Sequence, residues 1–325
     1  MRLAGRLTLA GVLVGLWGIP AFGDTVDSLW LGTLTRISTG FQDVFRVDTT
    51  GNVLTQVSDS SVSGQSLVNH DPYPITGIAT DGTSLYFADS FGWIVKTTLD
   101  GSTVISSPYW PYGPDGNCSQ TSYPCGTQEG MAWDSTRSVL WRVTAATDVL
   151  EEINPATNAY NGVALSLGQF NGWGARGVAY DSQTDQVLVS LCNTGGLSNC
   201  PATDGSGVVV AVDPSTYAVT PLFTTSFDPG GLAYDASNNS LWVTDISDCN
   251  PPASLSDTTP GVCQIHDLSV NGAALSAFNQ PSQDGYITGL AFVDPNPTPE
   301  PGFLIPSAAA LAAFAWKLRR RQTAP

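Results

Sequence analysis

Any chemistry in this chain must come from six cysteines, two histidines and a surplus of carboxylates, 28 Asp and Glu against 12 Lys and Arg in 325 residues. The cysteines form close couples: Cys118 with Cys125, Cys192 with Cys200, and Cys249 with Cys263. Each couple lies inside one Gly/Pro/Asn-rich loop, which favours disulfides between sequence neighbours, each worth ~2–3 kcal/mol. Zinc is the alternative use of these thiols. However, no Cys-x2-Cys unit is present and only His70 and His266 could assist. An Asp recurs four residues after a Gly at Asp81, Asp134, Asp181 and Asp235, a regularity that fits turn capping through the side chain and not catalysis. No nucleophile–base triad, phosphate-binding Gly loop or dinucleotide fingerprint is visible.

The elements that must position these residues follow from the same recurrence. Five short apolar strands open as Gly77-Ile78-Ala79, Gly130-Met131-Ala132, Gly177-Val178-Ala179, Gly231-Leu232-Ala233 and Gly289-Leu290-Ala291, at spacings of 53, 47, 54 and 58 residues. That is the period of a four-stranded blade with variable loops. A second strand follows four of the openings (SLYFAD, SVLWRV, QVLVSL, SLWVTD), and Asp-Gly or Asp/Asn-Pro turns follow the third. Residues 28–57 supply three strands without an opening strand, and residues 286–293 supply an opening strand without partners. The expectation is an all-β, five-bladed β-propeller over residues 24–294, closed by pairing of the C-terminal strand with the N-terminal three. Six blades are the alternative, but residues 58–74 and 108–127 show no convincing strand alternation.

Both ends read as addresses. Residues 1–23 carry Arg2 and Arg6, an apolar run and small residues at Ala21 and Gly23, the pattern of a secretory signal peptide; an uncleaved anchor is the alternative. At the other end, Pro299-Glu300-Pro301 precedes GFLIPSAAALAAFAW and then Lys317, Arg319, Arg320 and Arg321. Residues 295–325 thus resemble the PEP-CTERM sorting signal of Gram-negative bacteria that make extracellular polysaccharide, apart from Pro306 inside the apolar run. The resemblance implies transient inner-membrane anchoring by a transmembrane helix, processing by an exosortase, and delivery to the cell surface or beyond. A plain C-terminal anchor is the alternative, with the basic cluster cytoplasmic either way. The six remaining basic residues against 28 acids leave the body between Asp24 and Glu300 at net −22, which sets nucleic acid aside as a partner.

The repeat rhythm resembles the NHL/SMP-30-like group of secreted propellers. In that group a metal or substrate sits on the axis, held by acids and amides at the mouths of the inner strands. The matching positions are Thr76, Glu129, Arg176, Gly230 and Thr288, with Asp89 and Asp245 at the ends of the second strands and Asp228 in its loop. Glu129, Asp89, Asp228 and Asp245 would offer oxygens to Ca²⁺, while Arg176 beside them argues for internal charge pairing. No cofactor is demanded.

The loops are lopsided. The turns between the first and second and between the third and fourth strands are short. The connections at 58–74, 108–127, 191–207 and 246–261 are long and hold five of the six cysteines, with Cys263 two residues past the last. These long loops share one end of the propeller, opposite the end where the chain termini meet. The long loops carry Tyr73, Tyr109, Trp110, Tyr112 and Tyr123, and the connection before Gly174 adds Trp173; these aromatics suit sugar faces or rim packing equally. The expectation is an exported propeller for recognition or matrix structure, non-enzymatic, with an extracellular polysaccharide or surface protein as partner. A secreted metal-dependent lactonase or a lyase is the alternative.

Overall fold

The computed structural model describes residues 26–34, 43–58, 75–89, 94–109, 128–144, 149–157, 159–166, 168–170, 173–193, 206–247, 263–280 and 286–293. The signal-peptide segment, the sorting tail with Pro299, Glu300, Pro301, Lys317, Arg319, Arg320 and Arg321, and Cys118, Cys125, Cys200 and Cys249 lie outside them.

Among the described residues, twenty strands build five four-stranded antiparallel sheets arranged as a five-bladed propeller. Blade I joins β1 (Ser28–Leu34), β2 (Asp43–Asp48) and β3 (Val53–Ser58) to the last strand, β20 (Tyr286–Val293). Blade II holds β4 (Ile75–Thr80), β5 (Ser84–Asp89), β6 (Ile94–Thr98) and β7 (Val104–Tyr109). Blade III holds β8 (Gln128–Asp134), β9 (Val139–Thr144), β10 (Val149–Asn154) and β11 (Ala159–Ala164). Blade IV runs through β12 (Gly174–Asp181), β13 (Gln186–Cys192), β14 (Gly207–Val212) and β15 (Val219–Thr225). Blade V comprises β16 (Pro229–Asp235), β17 (Ser240–Asp245), β18 (Gln264–Ser269) and β19 (Ala274–Asn279). The expected closure is present: Ser28 pairs with Val293, Trp30 with Ala291 and Gly32 with Gly289.

The Gly-x-Ala openings owe their form to the seams between blades. The buried apolar residues divide into five clusters, one per seam. In each, a bulky residue of one inner strand meets the Ala of the blade before it: Ile78 with Ala291, Met131 with Ala79, Val178 with Ala132, Leu232 with Ala179, and Leu290 with Ala233. Large opposite small lets five sheets converge without voids. The glycines sit where convergence is tightest. A Cβ at Gly177 would lie 2.3 Å from Gly230 O, and one at Gly130 would lie 2.7 Å from both Arg176 O and Val178 N. A Cβ at Gly289 would lie 3.3 Å from Gly77 C, and one at Gly77 would lie 3.4 Å from Gly130 C. The recurring glycine is thus a girdle of backbone-to-backbone contact around the axis.

The recurring aspartates cap turns, as their spacing predicts. Asp81 Oδ1 accepts from the N–H groups of Thr83 and Ser84, Asp134 Oδ1 from Arg137, Asp181 Oδ1 from Gln183 and Thr184, and Asp235 Oδ1 from Ser237 and Asn238. Asp48, Asp100, Asn154 and Asp213 do the same at the outer hairpins. These side chains are committed to backbone groups that would otherwise need water.

One carboxyl is not accommodated in this way. Asp267 on β18 faces the same seam as Trp242 and Ser240, and its Oδ1 is buried without a hydrogen-bond partner. Burial raises its pKa, the Ser240 hydroxyl lowers it, and the charge of Asp235 raises it further; the net direction is up. A carboxyl raised in the folded state contributes most below its unfolded pKa and loses that contribution as pH rises through the folded value. Asp267→Asn is therefore expected to gain ~0.5 kcal/mol at neutral pH, given its partial exposure to solvent, and nothing near pH 4. Denaturant unfolding at both pH values checks this.

Candidate functional site

Two distinct environments lie along the axis, separated by the glycine girdle. Towards the end where β1 begins and β20 ends, a cavity of about 80 Å³ is lined by three tiers of inner-strand residues. Ile78, Met131, Val178, Leu232 and Leu290 form the tier next to the girdle, followed by the five alanines. Thr80, Trp133, Tyr180, Tyr234 and Phe292 form the outer tier. Since each inner strand pairs on one side only, its free edge faces the axis and offers backbone amides and carbonyls to the cavity. None of the acids anticipated as axial ligands lines it.

Those acids stand beyond the girdle, at the loop-bearing end. There the inner pairing slips in every blade, between Ile75 and Gly77, Glu129 and Met131, Ala175 and Val178, Pro229 and Leu232, and at Gly32/Thr33. Such bulges re-aim the chain. Hydroxyls from the second strands satisfy the displaced groups. Ser190 Oγ accepts from Gly177 N and donates to Gly230 O, both at 2.7 Å, and Thr244 Oγ1 donates to Ile287 O at 3.2 Å. Ser190 and Thr244 were not singled out by sequence, because a Ser or Thr on a strand carries no signal until the bulge beside it is known.

Among the anticipated residues, blade V brings two acids together. Asp228 and Asp245 are both buried, and they are adjacent because Pro229 pairs with Asp245 and Ile246 N donates to Asp228 O at 2.9 Å. Asp245 accepts from Ser247 N at 2.9 Å and from Ser247 Oγ, and its Oδ2 lies 3.6 Å from His266 Nε2. Burial raises the pKa of Asp245, but the nearby His266 ring and the bonds from Ser247 outweigh it and hold the carboxyl below its ordinary range. The His266 ring stacks on Phe227, with centroids 4.6 Å apart and planes at 17°. Phe227 and His266 complete a compact acidic and aromatic cluster at the loop end of blade V. His266 enters it because Val243 and His266 are register partners, information absent from composition.

The other anticipated residues are dispersed around the ring. Arg176 is half-buried on β12, and its carbonyl abuts Gly130. Glu129 and Asp89 hold backbone positions opposite Val143 and Ile75, and their side chains lie outside the described set, as does that of Thr288. Thr76 is buried, its Oγ1 without a partner. Among the described residues, no group of three or more His, Cys, Asp or Glu side chains is placed to hold a metal ion.

The two described cysteines, Cys192 at the end of β13 and Cys263 just before β18, are both disulfide-bonded. Their partners lie outside the described residues, so the neighbour pairing stays an expectation. Both stand at the loop end of their blades, opposite the end where Ser28 meets Val293. Trp173 is half-buried and packs edge-to-face on Phe170, against the core between blades III and IV. For this aromatic, rim packing is the role the structure displays. Tyr73, Trp110, Tyr112, Tyr123 and the Tyr109 side chain lie outside the described residues. No described helix is long and apolar enough to cross a membrane, and the apolar stretch of the tail is not among those residues.

No protein-family model and no curated protein matches this chain. Solved structures do resemble it. A chain of a nidogen/laminin complex superposes with a TM-score of 0.49 at 13% identity, covering 83% of this chain and 99% of that one. A Bacteroides caccae protein of unknown function gives 0.47 at 13% identity over the same shares. Glutaminyl cyclase from Myxococcus xanthus gives 0.37 at 10%, covering 67% of this chain and 70% of the other. The class is therefore defined by the fold itself, a five-bladed β-propeller.

Proposed function

We propose that this chain is an exported propeller for recognition or matrix structure at the cell surface, non-enzymatic, and sorted through its C-terminal tail by an exosortase-type enzyme. The observation that carries this reading is the polarity of the torus. The last strand and the first strand meet at one end, and the disulfide-bonded positions Cys192 and Cys263 stand at the other. A tail leaving after Val293 would hold the body by its plain end and present the stapled loops outward. The partner expected there is an extracellular polysaccharide or a surface protein that tolerates a body of net −22.

Mass spectrometry of the mature C-terminus, with and without the sorting enzyme, tests the address. Loss of Lys317, Arg319, Arg320 and Arg321 from the mature protein is expected, and recovery of the intact basic tail would refute sorting.

The neighbouring buried carboxylates Asp228 and Asp245 favour one second reading, a metal-dependent hydrolase such as a lactonase, or a lyase, with Glu129 and Asp89 joining them. A thermal melt separates the two. The recognition reading expects the same Tm with Ca²⁺ or with EDTA. An ion at about 100 times its Kd would add ~2.7 kcal/mol and raise Tm by roughly 5 °C or more.

A further inference from the structure

We draw no further inference here: the strongest candidate, the axial cavity at the plain end, lined by the free edges of the five inner strands and rimmed by Thr80, Trp133, Tyr180, Tyr234 and Phe292, offers amide donors and carbonyl acceptors alike, and nothing in the structure shows what would fill it.

Discussion

Gly177→Ala is expected to destabilise the propeller by about 3 kcal/mol or more, or to prevent closure altogether. The added methyl would sit 2.3 Å from Gly230 O, 2.6 Å from Leu232 N and 2.8 Å from Gly231 C. All three are backbone atoms of the neighbouring inner strand, fixed by their own ladder and by the Ser190 clamp onto Gly230 O. Relief therefore requires two blades to separate, and in a closed ring that displacement is passed to the other seams. Gly82→Ala is the control. Its φ is +79° and no atom lies within 4 Å of the new Cβ, so it bears only the backbone strain of a left-handed turn, ~1 kcal/mol. Urea unfolding of both variants gives the comparison, and equal losses would mean that the girdle is not the constraint.

The second large effect is expected inside blade III. Arg142 on β9 and Glu151 on β10 are register partners, and both side chains are almost wholly buried. Arg142 Nε donates to Glu151 Oε2 at 2.5 Å, and the Tyr160 hydroxyl donates to Glu151 Oε1 at 3.1 Å. Glu151→Ala leaves a guanidinium in the core without its counter-charge and should cost about 3–5 kcal/mol. The double variant Arg142→Met with Glu151→Leu removes both charges and should return to within about 1 kcal/mol of the parent. Chemical denaturation of the three variants completes the cycle. A double variant as unstable as Glu151→Ala would show that packing, and not the uncompensated charge, sets the loss.

Much of this architecture can be read from residue order, for a physical reason. Blade geometry imposes a small residue at the girdle, an Ala opposite the next blade's bulky side chain and, in four of the five blades, a carboxylate at the turn, so the pattern of Gly77-Ile78-Ala79 with Asp81 recurs around the ring. The divided blade is legible because residues 286–293 carry that opening and lack partners. What sequence could not locate is the axial division. Nothing in the composition says that the cavity and the acids lie on opposite sides of the girdle. The placement of Asp228 beside Asp245 depends on a bulge, and His266 joins them through register across β17 and β18. The Arg142–Glu151 pair was equally hidden, since two charges on strands read as solvent-facing until the seam that covers them is known.

Epitope access on intact cells tests the outward display most directly. One short tag would be inserted in the loop between Cys192 and Gly207, and another, in a separate variant, in the hairpin at Thr50–Gly51. Strong antibody binding to the first tag with weak binding to the second is the predicted outcome. Equal access to both, or better access to the hairpin tag, would contradict a body held by its plain end.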